Sequence, residues 1–215
     1  MGPGTFAYES LIGTGFLIGK NGFAVTAAHV VDQMLEAPNG YAAGFKNPQG
    51  QWVPVKILAH ECHSSEDVAV LQLDEVPVPS WLSIISDSEN QSCTYDAWGY
   101  PISVAEIDKK YEAHGMENPE LVYTHGYIRR RVSRSFPFGI YRGSAFYELS
   151  EVAGAGCSGG PMVLRKSVGQ PKWKVIGIYV GEVTAGFFAG YATRADAFFN
   201  WSPKLIGKSI KGESA

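Results

Sequence analysis

The sequence contains few cysteines, little net charge and no long apolar run. Its three cysteines among 215 residues are too few for a disulfide scaffold, and their odd number favours a reducing compartment, so we expect a cytoplasmic protein. A net charge of -3 lacks the basic excess by which proteins bind nucleic acid, so no nucleic-acid partner is expected. The nearest approach to a membrane span, Val175–Tyr191, is interrupted by Glu182 and several glycines, so no span is expected either.

Short segments rich in Val, Ile, Phe and Tyr recur along the chain, separated by turn-forming residues, and a hydrophobic content of 45% excludes a disordered chain. This pattern is typical of an all-β protein built as a closed barrel or a sandwich. The predicted strands are Gly13–Ile18, Phe23–Thr26, Trp52–Leu58, Val68–Leu73, Tyr95–Gly99, Val122–Ile128, Ser144–Leu149, Gly160–Leu164, Lys174–Tyr179 and Gly186–Thr193. We expect one short helix over Ala27–Glu36 and a short C-terminal helix over Arg194–Trp201.

The polar stretch Asp87–Cys93 separates two strand-rich halves of one predicted unit. The predicted parts are residues 1–90, residues 91–200 and a tail at residues 201–215. Residues Ile102–Pro119 are the least regular part and are expected to form an inserted surface loop. The start of the chain, Met1–Gly4, lacks the features of a signal peptide.

Three local sequences carry the residue types that acyl transfer requires. His29 follows an apolar strand, Asp67 opens another, and Ser158 lies in the glycine-rich turn Gly154–Pro161. Each has an ordinary structural explanation when taken alone: a packed histidine, a turn residue and a flexible turn. Together, in the order His, Asp, Ser, they supply a general base, a carboxylate that orients it, and a nucleophile. The glycines leave room for backbone N–H groups to bind an oxyanion.

These residues resemble the three signature blocks of the chymotrypsin-fold (trypsin-like) serine proteases. The matching blocks are Thr26–His29, Asp67–Leu71 and Gly156–Pro161, with further similarity at Gly13–Ile18, Asp96–Pro101, Val175–Ile178 and Gly190–Thr193. The pattern is closer to the bacterial and high-temperature-requirement branch than to digestive trypsin. The resemblance implies two six-stranded antiparallel Greek-key β-barrels packed perpendicular to each other, at 1–90 and 91–200, with the active site between them.

By this resemblance the chain is expected to be a serine endopeptidase that acts on polypeptides. Ser158 is the implied nucleophile, His29 the general base and acid, and Asp67 the orienting carboxylate. The backbone N–H groups of Gly156 and Ser158 form the implied oxyanion hole. The weaker candidates for the carboxylate are Asp32 and Asp74, because the family's aspartate opens its strand. The reaction requires neither a metal nor an organic cofactor.

Cys157 departs from the trypsin pattern. Trypsin has an aspartate immediately before the nucleophile, where it pairs with the amine released by zymogen cleavage. A thiol cannot form that ion pair, so we expect activity without N-terminal processing. Viral cysteine proteases of this fold have the thiol directly before Gly-Gly, a position that Ser158 holds here, so Cys157 is expected to be a packed small residue.

The resemblance also implies a substrate pocket, lined by Val152, Ala153, Tyr179, Val180, Gly181, Gly190 and Ala192. Val152 lies six residues before Ser158, at the pocket base, and carries no charge. An apolar P1 residue is therefore expected rather than Arg or Lys, which would need a buried counter-charge. Two interpretations of Glu182, which lies near the pocket wall, stay open: it reaches into the pocket if the loop is short, or it is solvated like most exposed glutamates.

Two other hypotheses for the function of the triad remain open: a protease-like binding module with an unproductive site, and an esterase. The segment His60–His63 has metal-binding residue types but no second ligand pair, so a polar loop is expected there. The arginines of the region Arg129–Arg142 are expected to lie on a solvated hairpin, with an acidic segment or nucleic acid as the alternative partner. The sequence does not specify the oligomeric state.

Overall fold

The computed structural model describes residues 11–38, 40–47, 49–76, 80–87, 89–103, 119–135, 142–171, 173–183, 186 and 188–215. The strands of these residues are β1 (Phe16–Ile18), β2 (Phe23–Thr26), β3 (Ala43–Lys46), β4 (Trp52–Val55), β5 (Ile57–Cys62), β6 (Ala69–Leu73), β7 (Ser83–Ile84), β8 (Thr94–Gly99), β9 (Val122–Ser133), β10 (Ala145–Leu149), β11 (Pro161–Leu164), β12 (Lys174–Val183) and β13 (Ala189–Arg194). The helices that lie wholly within the described residues are α1 (Ala28–Leu35) and α2 (Ile210–Glu213), with 3-10 turns at Arg165–Ser167 and Ala195–Ala197.

The second half forms a closed barrel of six antiparallel strands. The strand order is β11-β8-β9-β10-β13-β12, and pairing of β11 with β12 closes the ring. Closure leaves these strands without free edges, and large side chains such as Phe146, Tyr147 and Leu149 are fully buried. β7 adds to the outside of the ring by pairing in parallel with β12. The predicted all-β class and the second barrel are confirmed.

The first half contains the remaining strands in two sheets. One sheet has the order β1-β2-β6-β5, and the other is the β3–β4 hairpin. Every residue of β2 is buried, because this strand lies in the middle of its sheet and carries the run Phe-Ala-Val-Thr. These six strands, together with the closed barrel, agree with a chymotrypsin-like double barrel.

One hydrophobic cluster joins the two halves. It includes Val25 and Val70 from the first half, Val163 and Ile178 from the second, and Ile210 from α2. Because α2 belongs to this cluster, the predicted tail at 201–215 is packed rather than loose. Its fit is also polar, since the buried carboxylate of Glu213 accepts hydrogen bonds from Asn21 at 3.0 and 3.1 Å and pairs with Lys208 at 2.8 Å.

The predicted C-terminal helix over Arg194–Trp201 is wrong in type and length. The structure has a 3-10 turn at Ala195–Ala197, and the α-helical turn comes later, at Ile210–Glu213. The chain leaves helical geometry at Phe198, where φ is -125° and ψ is -4°, so the 3-10 turn ends there. Of the expected surface loop, residues 104–118 lie outside the described residues, as do residues 1–10. Within the described part of the chain, no helix has the length and apolar character to cross a membrane.

Candidate active site

His29 lies in the first turn of α1, directly after β2. Its backbone N–H has no partner within the helix and donates to Oδ1 of Asp67 at 2.9 Å. Its ring Nδ1 lies 2.7 Å from Oδ2 of the same carboxylate, which can only accept a hydrogen bond. Asp67 is fully buried, whereas 29% of the His29 side chain is exposed. The buried carboxylate therefore holds the proton on Nδ1 and leaves Nε2 free to accept another.

The loop that carries Asp67 is held by contacts with both halves of the molecule: the near side is its own half, and the far side is the second half. On the near side, Nδ1 of His63 accepts the backbone N–H of Glu66 at 3.0 Å, and burial lowers the pKa of His63, which favours this neutral acceptor form. On the far side, the carboxylate of Glu66 accepts the backbone N–H groups of Ser144 and Ala145, which lie at the start of β10. The second half of the molecule thus helps to position the carboxylate that binds His29.

Ser158 lies against the segment that leads to His29. The backbone N–H of Thr14 donates to the carbonyl of Ser158 at 2.7 Å. The next residue, Gly159, has a φ of +90° and packs so closely that a Cβ there would clash with Thr14 and lie 3.0 Å from the backbone nitrogen of Ala27. The structure therefore brings the loop that bears Ser158 next to the start of α1.

The hydroxyl of Ser158 donates to the carbonyl of Val180 at 3.4 Å. Among the described residues it makes no hydrogen bond to His29, so the structure joins His29 to Asp67 but leaves the link to Ser158 open. Catalytic hydrogen bonds are often long in a protein without substrate.

The backbone of the loop before Ser158 has two unused N–H groups. Thr14 Oγ1 donates to the carbonyl of Gly156 at 2.8 Å, and the carbonyl of Ala155 accepts the N–H of Ile102 at 2.8 Å. With these carbonyls engaged elsewhere, the N–H groups of Gly156 and Ser158 have no acceptor among the described residues. Gly156 has a φ of +94°, which an L side chain rarely adopts. This arrangement offers two donors to a developing oxyanion.

Cys157 is buried in the barrel core beneath the loop. Its Sγ donates to the carbonyl of Ala153 at 3.1 Å. Burial, with a smaller contribution from Glu182, raises the pKa of the thiol to about 12. The thiol therefore stays neutral at physiological pH and packs as an ordinary small side chain.

The residues predicted to line the pocket lie on three segments: Val152 and Ala153 in the loop, Tyr179, Val180 and Gly181 on β12, and Gly190 and Ala192 on β13. Tyr179 and Ala192 are buried in the barrel core, whereas Val152 and Ala153 are partly exposed. The ring of Tyr179 reaches Gly190, where a Cβ would lie 3.0 Å away. This ring therefore lies between the two predicted walls.

Of the two interpretations of Glu182, a side chain left to solvent is wrong, because its carboxylate bonds to the protein. Its Oε2 accepts the backbone N–H of Gly154 at 3.0 Å and the hydroxyl of Tyr179 at 2.8 Å. The carboxylate supplies the acceptor that the partly buried backbone N–H of Gly154 needs.

Sequence reasoning did not identify Thr14 or Glu66 as parts of the site, and it did not identify the hydrogen bond between Glu182 and the predicted pocket residue Tyr179. Thr14 lies in a segment that resembles the family, but nothing in its local pattern marks its hydroxyl as a support for a loop 142 residues away. Glu66 adjoins the predicted Asp67, and only the tertiary structure brings it to β10. Glu182 was noticed for its position beside the wall, yet its partners become visible only in the fold.

Two other clusters drew attention in the sequence: the segment His60–His63, with metal-binding residue types, and the basic region Arg129–Arg142. Within the described residues, no group of three or more His, Cys, Asp or Glu side chains is arranged to hold a metal ion. Three arginines of the basic region pair with carboxylates: Arg130 with Glu148 at 2.6 Å, Arg131 with Asp196 at 3.1 Å, and Arg142 with Asp32 at 3.0 Å. This pairing neutralises part of the surface on which an anionic partner would depend. Residues 136–141 of this region lie outside the described residues.

The family model and three solved structures that match this chain are described as peptidases or proteases. A family model described as a trypsin-like peptidase domain matches residues 13–178. The HtrA-type protease AlgW with a decapeptide superposes with a TM-score of 0.58 at 18% identity, covering 85% of this chain and 48% of that chain. The MamO protease domain from Magnetospirillum magneticum gives 0.58 at 14% identity, covering 86% and 85%. The active form of the Rv3671c protease from M. tuberculosis gives 0.57 at 19% identity, covering 85% and 68%.

At these identities the solved structures show a shared fold. The chain spans about half the length of the AlgW chains that it matches. A comparison with curated protein sequences gave no match.

Proposed function

Because the chain belongs to the trypsin-like peptidase family, we propose that it is a serine endopeptidase with Ser158 as nucleophile. The observation that carries the proposal is the pair of hydrogen bonds from His29 to the buried carboxylate of Asp67, beside the loop that bears Ser158. A carboxylate in this position sets the tautomer that a general base needs. The alternative acids are less suitable: Asp32 pairs with Arg142 on the surface, and Asp74 lies at the other end of β6.

The proposed reaction begins when the hydroxyl of Ser158 turns from the carbonyl of Val180 towards Nε2 of His29. The oxygen attacks the peptide carbonyl carbon while Nε2 takes its proton, and the N–H groups of Gly156 and Ser158 stabilise the tetrahedral oxyanion. His29 then protonates the leaving amine, and an acyl-enzyme remains on Ser158. A water molecule, deprotonated by His29, hydrolyses the ester and restores the hydroxyl. None of these steps calls for a metal or organic cofactor.

We propose an apolar P1 residue for the substrate. Val152 and Ala153 supply an uncharged surface on one side of the predicted pocket, and the Tyr179 ring fills space between its walls. The carboxylate of Glu182 is engaged by Gly154 and Tyr179, so it is poorly suited to act as the counter-charge of a basic side chain. A library of fluorogenic peptides that differ at P1 tests this proposal. Cleavage after Ala, Val or Leu is expected, and dominant cleavage after Arg or Lys would overturn it.

We propose further that the enzyme needs no N-terminal processing. The buried neutral thiol of Cys157 cannot hold a cationic amine, and the loop is supported by other residues instead. An N-terminal extension that resists cleavage should therefore leave kcat within about twofold of the unextended chain. A block of activity that is released on removal of the extension would contradict this.

A binding module with the same fold is the second candidate, and the open Ser158–His29 link is the observation that favours it. A fluorophosphonate probe together with a peptide substrate decides between the two. We expect labelling and peptide cleavage by the wild type, and neither by Ser158→Ala or His29→Ala. Wild-type protein that takes no label over a range of pH would support the binding module. Hydrolysis of activated esters without peptide cleavage would indicate an esterase.

A further inference from the structure

The loop before the nucleophile contains two glycines with positive φ, Gly154 at +92° and Gly156 at +94°. Such a segment has a wide choice of backbone conformations and needs outside contacts to hold one of them. Trypsin uses the amine released by zymogen cleavage for this purpose, and Cys157 cannot bind one. The contacts that replace it must therefore be found elsewhere in the chain.

Two side chains of β12 make such contacts. The hydroxyl of Tyr179 accepts the backbone N–H of Ala153 at 3.1 Å and donates to Glu182 at 2.8 Å. Oε2 of Glu182 also accepts the backbone N–H of Gly154 at 3.0 Å. The two residues thus fix consecutive peptide groups at the start of the loop, and a hydrogen bond to a charged acceptor is stronger than one between neutral groups.

The backbone of Tyr179 holds the other end of the same loop. Its carbonyl accepts the N–H of Gly159 at 2.7 Å, and its N–H donates to the carbonyl of Gly160 at 2.9 Å. One residue therefore binds the loop both before and after Ser158. Tyr179 is buried, and burial is the largest cause of the raised pKa of its phenol, so the hydroxyl keeps the proton that it donates to Glu182.

We infer that Tyr179 and Glu182 are positioning residues which hold the loop 153–157 in the conformation that presents the Gly156 and Ser158 N–H groups, and that they replace the zymogen-derived ion pair. This inference rests on the proposed peptidase function for its catalytic consequence, while its structural part concerns the loop alone. Both residues bind the backbone of the loop and not the substrate. Loss of either side chain should therefore weaken the binding of the oxyanion by the N–H groups of Gly156 and Ser158.

Near-isosteric variants test the inference. Tyr179→Phe removes both hydroxyl contacts, and Glu182→Met keeps the length of the side chain without an acceptor. Each should lower kcat about tenfold, with a smaller change in KM, because a lost hydrogen bond to a charged group weakens the active loop conformation. Glu182→Gln retains an oxygen acceptor and should keep kcat within about threefold of the wild type. The matched control is Tyr147→Phe, which removes another buried hydroxyl of the same barrel, bonded to the N–H of Glu89 at 3.0 Å.

Two further measurements separate positioning from general destabilisation. Affinity for a peptide aldehyde, which forms a tetrahedral adduct, should fall about tenfold in Tyr179→Phe and Glu182→Met. In a Ser158→Ala background, affinity for a substrate peptide should change less than threefold. If both variants match Tyr147→Phe in kcat and in aldehyde affinity, the inference is overturned.

Hydrogen exchange of the peptide amides at 152–158 tests the structural part without reference to activity. Exchange should be faster in Tyr179→Phe and Glu182→Met than in the wild type and in Tyr147→Phe. If the wild type takes no fluorophosphonate label, the proposed function fails while faster exchange still supports the role of the two residues in holding the loop. If exchange is unchanged in both variants, the inference fails even in an active protease.

Discussion

Replacing Thr14 by valine provides a sharp test of how the first half of the molecule supports the active-site loop. Thr14 is buried, and its Oγ1 donates to the carbonyl of Gly156 at 2.8 Å and accepts the N–H of Tyr100 at 3.1 Å. Valine has nearly the same shape but makes neither bond. Each backbone group left without a partner costs about 1 to 3 kcal/mol, so the loss of both partners in Thr14→Val should lower the free energy of unfolding by roughly 2 to 6 kcal/mol.

Part of the lost free energy comes from the loop that carries the two proposed oxyanion donors, the N–H groups of Gly156 and Ser158. The bond to the Gly156 carbonyl contributes about 1 to 1.5 kcal/mol to the orientation of the loop. Because about 1.4 kcal/mol corresponds to a factor of ten in rate, kcat should fall about tenfold at a temperature where the variant remains folded. Urea unfolding gives the stability change, and single-turnover cleavage of a fluorogenic peptide, corrected for active enzyme by fluorophosphonate titration, gives the rate.

Ser167→Ala is the matched control for this experiment. The Ser167 hydroxyl also bridges two backbone groups, donating to Leu164 at 2.7 Å and accepting from Lys174 at 3.0 Å, but it follows β11 rather than supporting the loop. A similar loss of stability with unchanged kcat is expected. Equal rates for Thr14→Val and Ser167→Ala would refute the idea that Thr14 supports the oxyanion donors.

Three more outcomes are expected. Asp67→Asn should lower kcat/KM by about 10⁴, because an amide can donate to His29 Nδ1 and fix the wrong tautomer. A steady-state assay measures this, and a loss of less than tenfold would contradict it. Gly159→Ala should abolish labelling by a fluorophosphonate and destabilise the protein far more than Gly169→Ala, because both glycines have positive φ but only Gly159 is crowded; thermal unfolding midpoints that agree within a few degrees would count against this. The thiol of Cys157 should resist alkylation in the folded protein from pH 7 to 9, because its pKa is raised to about 12 and the thiolate is scarce; peptide mapping by mass spectrometry measures this, and rapid native-state labelling would disprove it.

The strands were predictable because burial alternates or runs continuously in short apolar segments. β2 at Phe23–Thr26 was predicted with its observed bounds, and β8 and β11 to within a residue at one end. β3 and β7 were missed, since the segments Ala43–Lys46 and Ser83–Ile84 are short and carry little apolar pattern. The single strand predicted over Trp52–Leu58 is wrong, because the structure has two strands there, β4 and β5. The C-terminal helix was misplaced because the chain leaves helical geometry at the buried residue Phe198, a change of direction that local propensity does not predict.

The candidate site was predictable only where function requires particular side chains in particular local sequences. His29, Asp67 and Ser158 stood out because their residue types and chain order match a known chemistry. Thr14 and Glu66 did not, because each acts through one side chain on a backbone group that is distant in sequence. Such support can come from many residue types, so its identity depends on the packing of the two halves.

The packing of the segment around α2 has a consequence for the order in which the molecule assembles. Glu213 lies buried against Gly19 and Asn21, and Ile210 completes a cluster that contains residues of β1 and β2. During synthesis, residues 11–200 emerge from the ribosome before this segment does. A nascent chain therefore exposes apolar surface on its first half until residues 205–214 arrive, and the support of β2, from which His29 projects, is completed last.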